Sequence, residues 1–325
     1  MFNKALIRTL YDVQMERIQT GNRICAEIKV RLGQRPGQSE KELETEAKEY
    51  LSQARKEYQR ITDAFVLNQA HKYVKVDFDG YEIITDAGML IFVELYLEQL
   101  GHEEKMRKVV AKIVQQHPLW DGFLAGVRGC GPLMSAVILA EFDIHKAERI
   151  SQFWAYAGVD VASDGRGRSR RKEHLVEQTY IDKDGDEQIK NGLSFNPFLK
   201  AKLVGVLGSC FVRQPAEESK YRTVYDNYKH RLEHHAVYGV DHDEVRKVEM
   251  KEKTGHKYMP VLHRHNMALR YTIKIFLQDM WLAWRQIEGL PITAPYNEAV
   301  LGHKHHATRE AHKEQVCQVN KGNQP

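Results

Sequence analysis

Apolar residues at helical spacing govern what the first third of this 325-residue chain can fold into. From Ala5 to Leu32 they stand at Leu6, Leu10, Val13, Ile18, Ile24, Ile28 and Leu32, near the repeat of one helix face. Gly33-Gln34-Arg35-Pro36-Gly37-Gln38 breaks that run. Ser39 followed by Glu42 has the form of a capping box and opens a charged helix to about Asn68. The two helices are expected to pair antiparallel as a coiled-coil-like arm, with their alternating charges as a solvated face. Over Tyr73–Ile84 the pattern changes to alternating Val74, Val76 and Phe78, then Asp79-Gly80, which predicts a small β-hairpin. Asp77 and Asp79 read as turn and edge residues of that hairpin rather than as a metal site. Thr85-Asp86 caps a helix to about Leu100, a further helix runs from His102 to Gln116, and Pro118 closes this half.

The second half differs in character. Phe123–Phe142 is apolar and punctuated by glycine, residues 165–172 are a basic run, and Val176–Ile189 predicts a second hairpin around Asp184-Gly185. Helices are expected at about Pro197–Arg213, Ala216–His235 and Arg264–Glu288, followed by a polar, His-rich tail from Thr293. The expected fold is mainly α. Its parts are a helical arm region (1–117) with a small β-hairpin, a helix-hairpin-helix-containing α domain with a second small hairpin (118–292), and the tail (293–325).

Forty-eight Lys and Arg stand against 44 Asp and Glu, a formal net charge of +4. That sum does not by itself demand a nucleic-acid partner, so its distribution matters more. No apolar run is long enough to span a membrane, and no secretory h-region follows Met1. Cys25, Cys130, Cys210 and Cys317 lack CxxC pairing and read as reduced thiols, so the expected location is cytoplasmic.

Two stretches carry chemistry. In Val127-Arg128-Gly129-Cys130-Gly131-Pro132, ahead of the apolar run 133–140, Gly129 and Gly131 permit conformations closed to other residues. Backbone amides there, with the following helix N-terminus, are a natural cradle for phosphate. In Gly165-Arg166-Gly167-Arg168-Ser169-Arg170-Arg171-Lys172, five of eight residues are basic and none is acidic. Arginine forks suit phosphate, and such contacts position a duplex without reading its sequence. Eleven of sixteen histidines lie between His230 and His312. His230, His234, His235 and His242 have spacing that would suit a divalent ion, yet no HExxH motif accompanies them, and they read as exposed polar residues. The acidic run Asp182–Asp186 reads as a β-turn. No Walker A, Rossmann or GxSxG motif occurs.

The block Leu124–Glu141, with Phe153-Trp154-Ala155-Tyr156-Ala157-Gly158-Val159 and Ser163-Asp164-Gly165-Arg166 after it, resembles the C-terminal domain of the Piv/MooV (IS one-ten) insertion-sequence transposases. The stretch His265–Arg270 through Trp284 resembles a late apolar helix of that family. The resemblance covers roughly residues 117–290 and implies a DNA recombinase with DNA as partner, in some relatives with a structured guide RNA. It also implies a nucleophilic serine, here Ser163, with Ser169 as a further candidate; Asp164, beside Ser163, reads either as its base or as a carboxylate that repels the phosphate. The family's second part is a RuvC-like nuclease domain whose carboxylates hold Mg²⁺. The first 117 residues do not show such a domain, so no cofactor is assigned unless the chain is active, when Mg²⁺ is implied. The expected function is therefore a DNA-binding protein of the transposase/recombinase type that engages the DNA backbone through Arg128, Gly129, Gly131, Arg166, Arg168, Ser169, Arg170, Arg171 and Lys172, and lacks nuclease activity on its own. Two alternatives stand beside it. One is an active recombinase with acids supplied by a partner. The other is a non-catalytic coiled-coil scaffold. Self-association through the N-terminal helices is expected in any of them.

Overall fold

The computed structural model describes residues 3–31, 33, 43–67, 83–255 and 257–293. Within these the chain is mainly helical, with one two-stranded antiparallel sheet. The Ser39 capping box, most of the hairpin over Tyr73–Ile84 with Asp77 and Asp79, and the tail histidines lie outside the described residues. Contacts divide the chain into two units, 3–112 and 113 onward.

In the first unit, helices α1 (Lys4–Arg31), α2 (Leu43–Leu67) and α3 (Ala87–Gln115, which continues past the unit boundary) share one core. Ile24 and Ile28 of α1, Ala54 and Ile61 of α2, and Leu90, Val93 and Tyr96 of α3 pack together with Ile83 and Ile84. The expected two-helix arm is thus a three-helix core. Asp86 caps α3 as expected, its Oδ1 accepting the Met89 N–H at 2.9 Å. The break expected after Leu100 is absent: Gly101 lies inside one continuous helix. A mid-helix glycine costs only about 1 kcal/mol. Tyr96, Leu97 and Leu100 before it are held by the core, and Glu103 after it by Arg17, Gln14 and Arg107.

The second unit is built around its last helix. Along the chain stand α4 (Pro118–Gly122), α5 (Pro132–Glu141), α6 (Ile150–Tyr156), β1 (Leu175–Ile181) and β2 (Glu187–Leu193), then α7 (Pro197–Lys200) and α8 (Gly208–Val212). There follow α9 (Lys220–Glu233), α10 (Asp243–Thr254) and α11 (Pro260–Ile287). β1 and β2 pair from Leu175↔Leu193 to Ile181↔Glu187. The connecting turn is closed by Asp182, whose Oδ1 accepts the Asp184 and Asp186 N–H groups, and by Gly185 at φ +90°. The expected helix over Pro197–Arg213 is interrupted, since Ala201–Leu207 is a π-helical segment between α7 and α8. The expected helix over Ala216–His235 is shorter, with a 3-10 turn before Ser219 caps α9. Helix α10 carries few apolar residues and was not foreseen; it ends on Gly255 at φ +70°.

Pro132 at the first position of α5 costs no backbone donor, and Met134–Glu141 are all buried, so α5 is enclosed on every side. Ile273, Phe276, Leu277, Met280 and Trp281 of α11 are fully buried. Phe276 meets the rings of Phe211 (5.7 Å) and Tyr221 (5.6 Å), and the Trp281 indole N–H donates to the Ala147 carbonyl at 2.8 Å. Each such side chain contributes about 2–3 kcal/mol by leaving water.

Candidate nucleic-acid interface

The glycine turn is built by contacts from below. Gly129 has φ +95°, a conformation other residues rarely take, and a Cβ there would stand 2.9 Å from Gln214 Nε2 and 3.2 Å from Cys210 Cβ. Gln214 Nε2 donates to the Arg128 carbonyl at 2.7 Å, which fastens the turn to the end of α8. Cys130 is buried, and that burial pushes its thiol up to about 12. Gly131 departs from expectation. Its φ of −68° and ψ of 176° suit any residue, and a Cβ would meet nothing within 4 Å. Its backbone therefore requires no glycine, and only close approach of a ligand would. The Arg128 guanidinium is paired with Glu218 on the surface, so it is not an open cation.

The basic run forms a tight loop. Val161 bridges Gly167, the Ala162 N–H donates to the Arg166 carbonyl at 2.8 Å, and Gly165 turns the chain at φ +75°. Arg168 does not face outward. It forks onto Asp160 (Nε–Oδ1 2.8 Å, Nη2–Oδ2 2.7 Å) and donates to Ser194 Oγ, bracing the base of the loop. Arg166, Arg170, Arg171 and Lys172 are exposed, and none forms an ion pair among the described residues.

The two candidate serines differ. Ser163 is exposed and makes no hydrogen bond among the described residues. Asp164 beside it turns both oxygens elsewhere: Oδ1 accepts the Arg166 N–H (2.9 Å) and Oδ2 faces His174 Nε2 (3.1 Å). These bonds, the Arg166 amide first, hold the Asp164 carboxyl below its ordinary range. Ser169 instead belongs to a chain of contacts. Its N–H donates to His174 Nδ1 at 2.9 Å, and its Oγ lies 3.0 Å from the same nitrogen. Since Nδ1 accepts a backbone N–H, the imidazole proton sits on Nε2 and points at Asp164. His174 is buried, and it joins the Ser169 hydroxyl to the exposed Asp164 carboxylate in a line of contacts that no local spacing reveals.

Beside the loop stand cations of α7 and α11 that belong to no basic run in the sequence. The Arg270 guanidinium lies against Gly167, so that a side chain at Gly167 would push it aside. Lys200, at the end of α7, donates to the Arg168 carbonyl at 2.5 Å and lies over the Phe195 ring at 4.5 Å. Lys274 stands 4.4 Å over the Trp154 ring, and Trp154 Nε1 donates to the Lys274 carbonyl. Burial, then repulsion by Arg270, lowers Lys200 to about 8; Asp160 acts against this and Arg168 adds to it. Burial likewise lowers Lys274, while burial and then Arg171 lower Arg270. His263 is lowered by burial and by Arg246, Arg270, Arg171 and Arg264.

The His230 and His234 rings are tilted at 41° with centroids 4.5 Å apart, His234 Nδ1 lying 3.0 Å from the His230 carbonyl. Among the described residues no group of three His, Cys, Asp or Glu is placed to hold a metal, and no helix is long and apolar enough to cross a membrane.

No protein-family model matches the chain, and neither the curated proteins nor the solved structures contain a match to it. The residues that carry the transposase resemblance have packing roles of their own. Ala136, Phe153 and Ala157 are buried, and Gly158 ends α6 at φ +65° directly under the Phe195 ring. A protein with no relation to that family could keep them for those reasons alone.

Proposed function

We propose that the second unit binds the sugar-phosphate backbone of DNA, in the manner of a transposase or recombinase accessory domain. The observation that carries this reading is the exposed set Arg166, Arg170, Arg171 and Lys172, none of which forms an ion pair among the described residues although Asp164 lies in the field of Arg166, on a loop whose base is braced by the Arg168–Asp160 fork. Unpaired guanidinium groups on a positioned loop favour phosphate, and contacts of this type carry affinity without sequence preference. The test is fluorescence anisotropy with a labelled duplex across a salt series. Replacing Arg166, Arg170 and Lys172 by Gln lowers affinity alike for unrelated sequences and flattens the salt dependence by roughly 0.9 per lost phosphate contact. Equal slopes for wild type and variant overturn the reading.

A second reading, an active recombinase, is favoured by the Ser169–His174–Asp164 relay. The Ser169 hydroxyl lies 3.0 Å from His174 Nδ1, which also accepts the Ser169 N–H. The imidazole therefore takes the hydroxyl proton as Oγ bonds to a phosphodiester phosphorus and a deoxyribose oxygen leaves, whereas the Asp164 carboxylate beside Ser163 is held by the Arg166 N–H and His174. On this reading the nucleophile is Ser169 rather than Ser163. Purified chain is expected to bind DNA without cutting it. A covalent serine–DNA adduct trapped on wild type and Ser163→Ala but absent from Ser169→Ala establishes the second reading, and absence of any adduct removes it.

A further inference from the structure

Among the described residues Arg270, Lys200, Lys274 and Arg171 form no ion pair of their own. Arg168 is committed to Asp160, and that aspartate is the carboxylate whose field reaches Lys200 and Lys274. Arg270 has no ion pair among the described residues, and the charge that acts on it is the repelling Arg171. Folded proteins place cations away from water when an opposite charge meets them, because a desolvated, unpaired charge costs several kcal/mol. Elsewhere on α11 the buried charges are met: Arg264 forks onto Asp243, Asp279 receives Lys220 and Tyr221, and Arg285, without an ion pair among the described residues, donates to the Ala147 and Pro291 carbonyls. The Arg270 cluster departs from this, and the departure is built in. Gly167 is the residue that lets the Arg270 fork reach the loop backbone, and the π-helical segment begins at the residue after Lys200.

We propose that Arg270, Lys200, Lys274 and Arg171 form a half-buried site for one phosphate group, filled by a phosphodiester of the bound nucleic-acid strand. The inference rests on the backbone-binding reading above and gives it a fixed point: one phosphate held deeply, with Arg166, Arg170 and Lys172 contacting its neighbours from the exposed side. A tetrahedral anion with several acceptor oxygens satisfies the Arg270 fork and the two ammonium groups together, which a single carboxylate would not. It also relieves the mutual repulsion of the cluster, so binding stabilises the fold by mass action.

The experiment uses the full chain with two probes. Inorganic phosphate is titrated at constant ionic strength, with chloride as the balancing anion, while the urea midpoint is followed. A labelled duplex is titrated by anisotropy in parallel. Wild type is compared with Arg270→Gln, with Lys200→Gln, and with the exposed-loop variant Arg166→Gln. The expected result is a midpoint that rises with phosphate in wild type and in Arg166→Gln but not in Arg270→Gln or Lys200→Gln, together with a DNA affinity at least about tenfold weaker in Arg270→Gln. Circular dichroism and the urea midpoint without phosphate establish that these variants are folded. A phosphate response that needs Arg270, with wild-type DNA affinity in Arg270→Gln, supports the site but assigns it to free phosphate. If wild type does not bind DNA at all yet keeps the phosphate response, the backbone-binding reading fails and the site stands. If DNA binds with the salt dependence described above but phosphate moves no midpoint and Arg270→Gln binds as wild type, the site is overturned and the backbone reading stands.

Discussion

Helix α11 carries charge at two kinds of place, and the contrast between them separates structure from recruitment. At Arg264 the guanidinium is buried and fully used: Nη1 donates to Asp243 Oδ1 (2.6 Å) and to the Tyr238 carbonyl (2.9 Å), and Nη2 to Asp243 Oδ2 (2.9 Å). Asp243 sits at the start of α10, where the helix dipole also favours a negative charge, and the Arg264 bonds hold its carboxyl below the ordinary range. The second site of this kind is Asp279, closed by Lys220 at 2.7 Å and the Tyr221 hydroxyl at 2.9 Å. Burial, with Asp279 beside it, holds the Tyr221 hydroxyl protonated. These pairs join α9 and α10 to α11. Arg270 lies between them on the same helix and forms no ion pair among the described residues. Arg285, buried without an ion pair among the described residues, still serves the fold by donating to the Ala147 and Pro291 carbonyls, whereas Arg270 has neither kind of partner among them, and a guanidinium without a partner is available to a ligand.

The sharpest way to break that contrast is equilibrium unfolding of single variants. Arg264→Ala strands the Asp243 carboxylate and the Tyr238 carbonyl, and is expected to cost about 3 kcal/mol. Asp279→Ala removes the acceptor of a buried hydroxyl. Because Lys220 keeps part of its hydration, the cost is expected to be somewhat lower, about 2–3 kcal/mol. Arg270→Gln deletes a repelled cation and is expected to leave the urea midpoint unchanged or to raise it, within about 0.5 kcal/mol. A loss at Arg270 equal to that at Arg264 would make Arg270 a structural residue and remove the ground for a ligand there.

A smaller effect sharpens the same distinction at the glycine turn. Gly129→Ala must hold a positive φ and push against Gln214 and Cys210, at an expected cost of about 1–2 kcal/mol. Gly131→Ala has an ordinary conformation and open space, and is expected to cost less than about 0.5 kcal/mol. The pair is read from urea midpoints, and the DNA affinity of Gly131→Val then decides what the second glycine does. Weakened binding with an intact fold means that a backbone phosphate comes close to the turn. Wild-type affinity means that Gly131 has no role in binding.

What the sequence made legible follows from the range of the forces involved. Helix spacing and turn chemistry are local, so α1, α11 and the β1–β2 hairpin were readable from residues a few positions apart. The Gly101 break failed because a local cost of about 1 kcal/mol lost to contacts with residues some ninety positions away, Gln14 and Arg17 on Glu103. Helix α10 was missed because it is held from outside, by the Asp243–Arg264 fork rather than by an apolar stripe. In the candidate interface the basic loop was visible as a run, but its division of labour was not. That Arg168 braces while Arg166 and Arg170 face water depends on Asp160 and Ser194 meeting one guanidinium. Arg270 and Lys200 lay outside every motif. Only folding brings them to Gly167 and the Arg168 carbonyl, and no residue spacing encodes that.

The smallest expected effect is a titration, and it reports on the cluster while it is empty. Lys200 is lowered from the ordinary lysine value of 10.5 to about 8, by burial first and then by Arg270, with Arg168 adding and Asp160 opposing. A lysine whose folded-state value lies below its unfolded one is charged in both states below pH 8, where the fold carries the full cost of that charge. Between about pH 8 and 10.5 the unfolded chain binds more protons than the folded one, so this group makes stability rise with pH. The groups that face Lys200 are Asp160 and Arg168 of the loop, Arg270 of α11 and the Phe195 ring, and none of the three charged ones changes charge in that window. Urea midpoints from pH 7 to 10 are therefore expected to gain an upward contribution in wild type that Lys200→Gln lacks. A bound phosphate favours the charged ammonium and erases the difference, so phosphate affinity is expected to fall as pH rises through about 8. An identical pH profile in wild type and Lys200→Gln, with and without phosphate, would show that Lys200 is hydrated and ordinary, and would leave Arg270 to hold the anion without it.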